Sequence, residues 1–282
     1  MPGLDLTAAA VFGLLSAASW GAGDFCGGLA ARRASAPVVV ITSQVVGLLL
    51  LTGLALILGE VWPTATDLMW GALAGLAGNL GLLALYRALA NGQMGVVAPL
   101  SAVLAAALPV LITIVTVGWP SRLMLAGFLL ALAGVWLLAQ PPGRTQLHWR
   151  DLGLPVAAGL GFGLFFVFIG QVGPRAVFWP LVASRAASVT LLATVSLVGR
   201  QRLIPALAQT PLMALSGVLD AAGNACFALA VQAGRLDVAA VLSSLYPAST
   251  VLLARVVLKE RFTRPQLLGI AAALAAIGLI SA

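Results

Sequence analysis

The sequence predicts an all-α integral membrane protein: ten transmembrane helices forming two inverted-topology five-helix repeats. Three observations lead there. The 282 residues are 61% hydrophobic and only 8% charged, against roughly a quarter charged in soluble proteins, so a bilayer must take the apolar surface. The stretch Trp70–Gln140, slid forward by 142 positions, lies without a gap on Leu212–Ala282. Identities at that one offset include Gly75/Gly217, Gly81/Gly223, Gly92/Gly234, Ser101/Ser243, Arg122/Arg264 and Gly127/Gly269, the mark of an internal duplication. Each half also holds an odd number of apolar runs. A five-span unit repeated once enters the membrane from opposite sides, which gives an inverted repeat with a midplane site between its halves.

The spans follow in order, each about 20 residues of apolar sequence closed by a turn signal. The first, near 6–28, follows Asp5 with no basic segment before it, so it reads as a retained span and not a cleaved leader. The second, near 37–58, starts at Pro37 after Arg32-Arg33 and stops at Glu60 and Pro63. The third, near 68–88, runs to Asn91-Gly92, and the fourth, near 95–117, to Trp119-Pro120. The fifth, near 122–139, closes the first repeat, residues 1–140, before a linker at 141–150. The second repeat, 151–282, holds spans near 152–171, 176–198, 211–233, 237–258 and 264–281. Its opening aligns with the first repeat at an offset of 146, where Asp5-Leu6 meets Asp151-Leu152 and Gly13-Leu14 meets Gly159-Leu160. Cys26 and Cys226 fall inside apolar runs without metal spacing, so they read as buried free thiols.

Three motifs resemble the drug/metabolite transporter superfamily in its ten-helix EamA branch. Trp20-Gly21 is similar to that family's Trp-Gly in the first span, and Tyr86-Arg87-Ala88-Leu89 to its Tyr-x-Ala-Leu. Leu258-Lys259-Glu260-Arg261-Phe262-Thr263, followed by Gln266 and Gly269, resembles its Leu-Gly-Glu-Arg-Leu-Thr segment. The first-half counterpart, Val117-Gly118-Trp119-Pro120-Ser121, lacks the Glu-Arg pair, and Lys259 replaces a glycine. The resemblance implies a multi-pass protein of a bacterial-type inner membrane that exports small metabolites such as amino acids. Export of lipophilic cations is the alternative, and the motifs do not name the solute.

Residues that could meet a solute are those whose polarity needs a reason inside a span. Charges at mid-bilayer cost about 2.5–3.5 kcal/mol each on an insertion scale. Arg185 and Asp220 sit mid-span on consecutive antiparallel helices, at depths that tilt could match, as an ion pair, a proton site or a grip on a charged solute. Asp24 lies three-quarters along the first span, between interface and cavity, whereas Arg87 and Arg255 can snorkel from helix ends. Asn79 and Asn224 are deep amides, either glue between helices or solute contacts. Ser16, Ser19 and Trp20 share one helix face and meet Phe162, Phe165 and Phe166 at the 146 offset, so Trp20 and Phe166 are the expected wall of an aromatic cavity. Ser243 and Tyr246 flank Pro247 in the ninth span, and Pro99 and Pro109 occupy the fourth. Paired interruptions of this kind point to a transport site. Glycines four apart, as in Gly23/Gly27, Gly71/Gly75 and Gly159/Gly163, suit close helix approach.

Function classes separate on what is missing. The sequence has no G-x-x-x-x-G-K-[ST] loop for ATP, and its one histidine is His148 in the linker. An intramembrane enzyme would need a nucleophile–base pair or metal ligands, and a channel a filter motif. A secondary transporter without cofactor or metal is the expectation, with a small solute, lipids and optionally protons as partners, a monomer being compatible. The +7 charge is spread singly between apolar runs, which suits lipid headgroups and not nucleic acid. Nine Lys and Arg lie in the odd-numbered loops and only Arg122, Arg175 and Arg235 in the even ones. The positive-inside rule then puts both termini outside, whereas the resemblance implies both inside.

Overall fold

A computed structural model describes residues 5–90, 94–138, 152–199, 210–257 and 263–281. The described chain forms eleven α-helices: α1 Leu6–Ala31, α2 Ala36–Ile57, α3 Ala65–Ala90, α4 Met94–Thr116, α5 Arg122–Leu138 and α6 Gly153–Ile169. Then come α7 Phe178–Val198, α8 Thr210–Ala233, α9 Leu236–Ser243, α10 Tyr246–Val257 and α11 Arg264–Ser281. No strand occurs among the described residues. The helices α1, α2, α3, α7 and α8 are long and apolar enough to cross a membrane, and α4, α5, α6 and α11 contain shorter apolar stretches. Leu49, Leu111, Leu129 and Leu274 are each at least 60% exposed, an outer surface suited to lipid and not to water. The side chains of Arg87 and Arg255, the 258–262 motif and His148 lie outside the described residues.

Helix starts follow local chemistry. Asp5 Oδ1 accepts from the Ala8 N–H at 3.0 Å and caps α1, as N-cap carboxylates do. Thr263 and Gln266 form a reciprocal capping box at α11, and the Ser121 hydroxyl accepts from Met124 N–H at the head of α5. Ser121 and Thr263 stand at the same place under the 142 offset.

The ninth span departs from the expected continuous helix. It breaks into α9 and α10 around Ser244 and Leu245, because Pro247 has no N–H to donate back and its ring crowds the preceding turn. The Leu245 N–H turns instead to Leu242 O, a tighter bond. Its expected partner in the first half does not break. The α4 helix runs unbroken through Pro99 and Pro109, so the interruption belongs to the second half alone.

Packing relates the elements in a reciprocal way. The α1 helix packs on α8 and α3 on α6; α2 also lies on α8 and α3 on α7; α1 meets α9 and α10 as α6 meets α4. The α2–α7 and α5–α11 contacts close the set. Small residues set these approaches. A Cβ on Gly71 or Gly75 would fall 2.1 Å from the carbonyl oxygens of Pro180 or Ser184 on α7. Gly23 and Gly27 meet Ser216 of α8, and Gly159 and Gly163 meet Ser101, Leu104 and Leu108 of α4. The glycine pairs are therefore helix contacts, as expected for membrane interiors.

Candidate functional site

The space left between these helices is a cavity of about 220 Å³ lined from α1, α2, α3, α4, α6, α7, α8 and the α9–α10 break. One buried water needs only about 10–15 Å³ on such a measure, so the space suits a small organic solute. Its lining extends to Gly28 and Val39, near the α1 C-terminus and the α2 N-terminus, which marks the end toward which it opens.

Trp20 of α1 is held in place from three sides. Its indole N–H donates to Asn224 Oδ1 at 3.1 Å. Its ring lies so close to Gly223 that a Cβ there would stand 2.4 Å from Cδ1. Phe166 of α6 stacks on it with centroids 5.7 Å apart, Phe165 meets it edge-on at 6.4 Å, and Phe227 backs the cluster 4.6 Å from Phe166. Such rings form a rigid, apolar wall. The Ser16, Ser19 and Trp20 face thus contributes only its indole to the lining; the Ser16 hydroxyl is fully buried and without a partner.

Opposite charges meet at mid-helix. Arg185 Nη2 of α7 stands 2.6 Å from Asp220 Oδ2 of α8, with side chains 5% and 36% exposed. Gln44 of α2 accepts from Nη1, and Gly47 lets α2 run close past Nε. The pair therefore ties three helices at one depth. Asp24 of α1 also lines the cavity, and it is exposed. Asn79 of α3 lines it too, only 2% exposed, and neither its Nδ2 nor its Oδ1 has a partner.

Eight of the nine residues singled out from the sequence line this one cavity: Trp20, Asp24, Asn79, Phe166, Arg185, Asp220, Asn224 and Tyr246. Ser243 does not. Its hydroxyl donates to Gly13 O at 3.3 Å, and the helix break turns Ser244 to the lining in its place. Ser101, its counterpart, donates likewise to Pro155 O at 3.0 Å. Sequence reasoning passed over Gln44, Ser184, Ser188 and Ser216, which also line the cavity. The signal was present at Gln44, an uncharged amide deep in an otherwise apolar run.

The opposite end of the molecule is tied shut. The Glu60 carboxylate, between α2 and α3, accepts from the N–H groups of Val177, Phe178 and Trp179 at the start of α7. These are the unpaired donors of a helix N-terminus, where a carboxylate fits best. Trp179 Nε1 returns a bond to Glu60 O at 3.1 Å, and Asp67 Oδ1 accepts from Gly173 N–H at 2.8 Å. Arg235 binds the fully buried Asp237 at 2.8 Å and donates to Gly118 O. Among the described residues, no cluster of His, Cys, Asp or Glu could hold a metal ion.

Comparison with known proteins places this geometry. Residues 151–282 match the model of the EamA-like transporter family. One solved crystal structure is 17% identical to the chain, covers 97% of it and 96% of its own length, and superposes with a TM-score of 0.79. That likeness concerns the fold alone. Among curated proteins, none matches the chain.

Proposed function

We propose, from the match of residues 151–282 to the EamA-like transporter family and from the apolar helices, that the protein is a multi-pass membrane transporter of the drug/metabolite type, an alternating-access exporter of small metabolites. The observation that carries this is a single cavity built by both halves. Trp20, Asp24, Gln44 and Asn79 come from the first, and Phe166, Arg185, Asp220 and Asn224 from the second. A site shared in this way opens to one side or the other as the halves rock.

Reciprocal packing supports two inverted five-helix repeats. Exchanging α1 with α6, α2 with α7, α3 with α8, α4 with the α9–α10 pair and α5 with α11 turns each major contact into another. Ser101 and Ser243 each donate to a backbone carbonyl on the first helix of the other half. The bonds of Glu60 and Asp67 to the α6–α7 connection hold one side closed, while the lining runs toward the other. Arg32 and Arg33 of the first loop follow α1 at that open end, and by sequence the odd-numbered loops carry most of the Lys and Arg, which supports cytoplasmic loading and hence export across a bacterial inner membrane.

The test uses Gly28→Cys with Cys26 and Cys226 changed to Ala. Gly28 lines the cavity and a Cβ there meets nothing within 4 Å, so the variant should transport in proteoliposomes without ATP. A bulky thiol reagent should stop the flux, and a transported solute should slow the modification. Flux unaffected by complete modification would remove the cavity from the path.

A further inference from the structure

Among the described residues, three charged side chains line the cavity: Asp24, Arg185 and Asp220. Two of them cancel. Asp220 pairs with Nη2 of Arg185 and Gln44 accepts from Nη1, while Nε lies against Gly47 with no hydrogen-bond partner of its own. With 5% of its side chain exposed and Asp220 beside it, the guanidinium offers little surface to a solute carboxylate.

Asp24 stands apart. It is exposed within the cavity, and no described residue gives it a hydrogen bond or an ion pair. Asp220 and Tyr246 share the lining with it, and neither is a cation. The cavity thus has one carboxyl group without a cationic partner. Its wall favours a cationic guest too, because an aromatic ring such as that of Trp20 attracts cations. The second independent feature is Asn79, whose buried amide has both a donor and an acceptor unsatisfied at the lining. Buried polar groups rarely go without partners, so this amide is suited to a neutral polar group on the solute.

We propose that the cavity takes an organic monocation: an ammonium facing Asp24, a planar apolar body against Trp20 and Phe166, and a neutral polar substituent at Asn79. This rests on the cavity being the transport site and narrows its occupant. It separates an arylalkyl amine from the matching amino acid, whose carboxylate would meet two aspartates and an arginine already ion-paired to one of them.

Calorimetry on the full-length protein in nanodiscs tests it with three probes that share one ring and chain: 2-phenylethylamine, phenylalanine and 3-phenylpropionate. The amine should bind about tenfold or more tightly than either other probe, since a factor of ten needs only one modest charge interaction. Asp24→Asn should cost the amine about tenfold, and Asp24→Glu, which keeps the charge, only about threefold. Asn79→Ala should weaken tyramine, which carries a ring hydroxyl, by about fivefold and leave 2-phenylethylamine unchanged, as loss of one hydrogen bond requires. Phenylalanine binding as tightly as the amine, an amine affinity untouched by Asp24→Asn, or no amine binding would each overturn the proposal. Any of these can occur while thiol modification of Gly28→Cys still stops solute flux, so failure of the occupant and failure of the transport path are told apart.

Discussion

Replacing Asp220 with Asn strands Arg185, and the burial of each partner sets the size of the effect. The arginine side chain is 5% exposed and would keep only Gln44. Removing one partner of a fully buried pair costs about 3–5 kcal/mol. Asp220, however, is 36% exposed, so cavity water already screens one side, and the expected cost falls to about 2–3 kcal/mol. The reverse change, Arg185→Gln, leaves a carboxylate that water can reach and should cost less, about 1–2 kcal/mol. Changing both leaves two amides in place of two charges, and stability should return to within about 1 kcal/mol of the parent. Thermal unfolding of the purified protein in detergent, with elution as a single species, gives the ranking. Because Asp24 and not the pair is assigned the solute, the double variant should also keep most of its flux. An Arg185→Gln variant less stable than Asp220→Asn would refute the burial argument. A stable double variant without flux would show that the pair itself exchanges a proton or grips the solute.

Other expectations follow from single contacts. Gly75→Ala would drive a Cβ to 2.1 Å from Ser184 O and should destabilise by about 1–3 kcal/mol, as overpacking does. Gly53→Ala, with nothing within 4 Å, should be neutral or better in the same melts. Trp20→Phe keeps an aromatic ring but leaves Asn224 Oδ1 without its donor, a loss of about 1 kcal/mol, read as a lower melting temperature. Glu60→Gln weakens the bonds to the α7 N-terminus by about 1 kcal/mol. A cysteine in the cavity should then label about fivefold faster from that side. A reporter active only in the cytoplasm and fused after Ala282 should stay silent if the loop charges set orientation.

The helices were legible because each span is long, apolar and closed by Pro, Gly or charge, and because the repeat counts them twice. Asp220 and Arg185 were legible as a candidate pair from depth, since both lie mid-span on consecutive antiparallel helices and the small difference in their distance from the turn is one that tilt and long side chains can close. The split of the ninth span was half visible. Pro247 marked it, yet Pro99 and Pro109 carried the same mark in a helix that stays whole. Proline removes one hydrogen bond wherever it stands, and neighbouring packing decides whether the helix breaks. Ser243 looked like a lining residue for the same reason, and only the break shows that Ser244 takes the place. The position of Asp24 was beyond sequence. Three-quarters along a helix fits an interface or a cavity equally well, and only α2 and α8 packing around α1 makes it a cavity wall.

If the two halves rock, the end that Glu60 and Asp67 hold closed must open in each transport cycle. Asp67 Oδ1 receives the Gly173 N–H at 2.8 Å, so these positions lie side by side across the two halves. In a background with Cys26 and Cys226 changed to Ala, Asp67→Cys and Gly173→Cys can be bridged by a short thiosulfonate linker. Rocking halves should give flux in the unbridged protein, none once bridging is complete, and recovery on reduction. Undiminished flux through a completely bridged protein would contradict that motion.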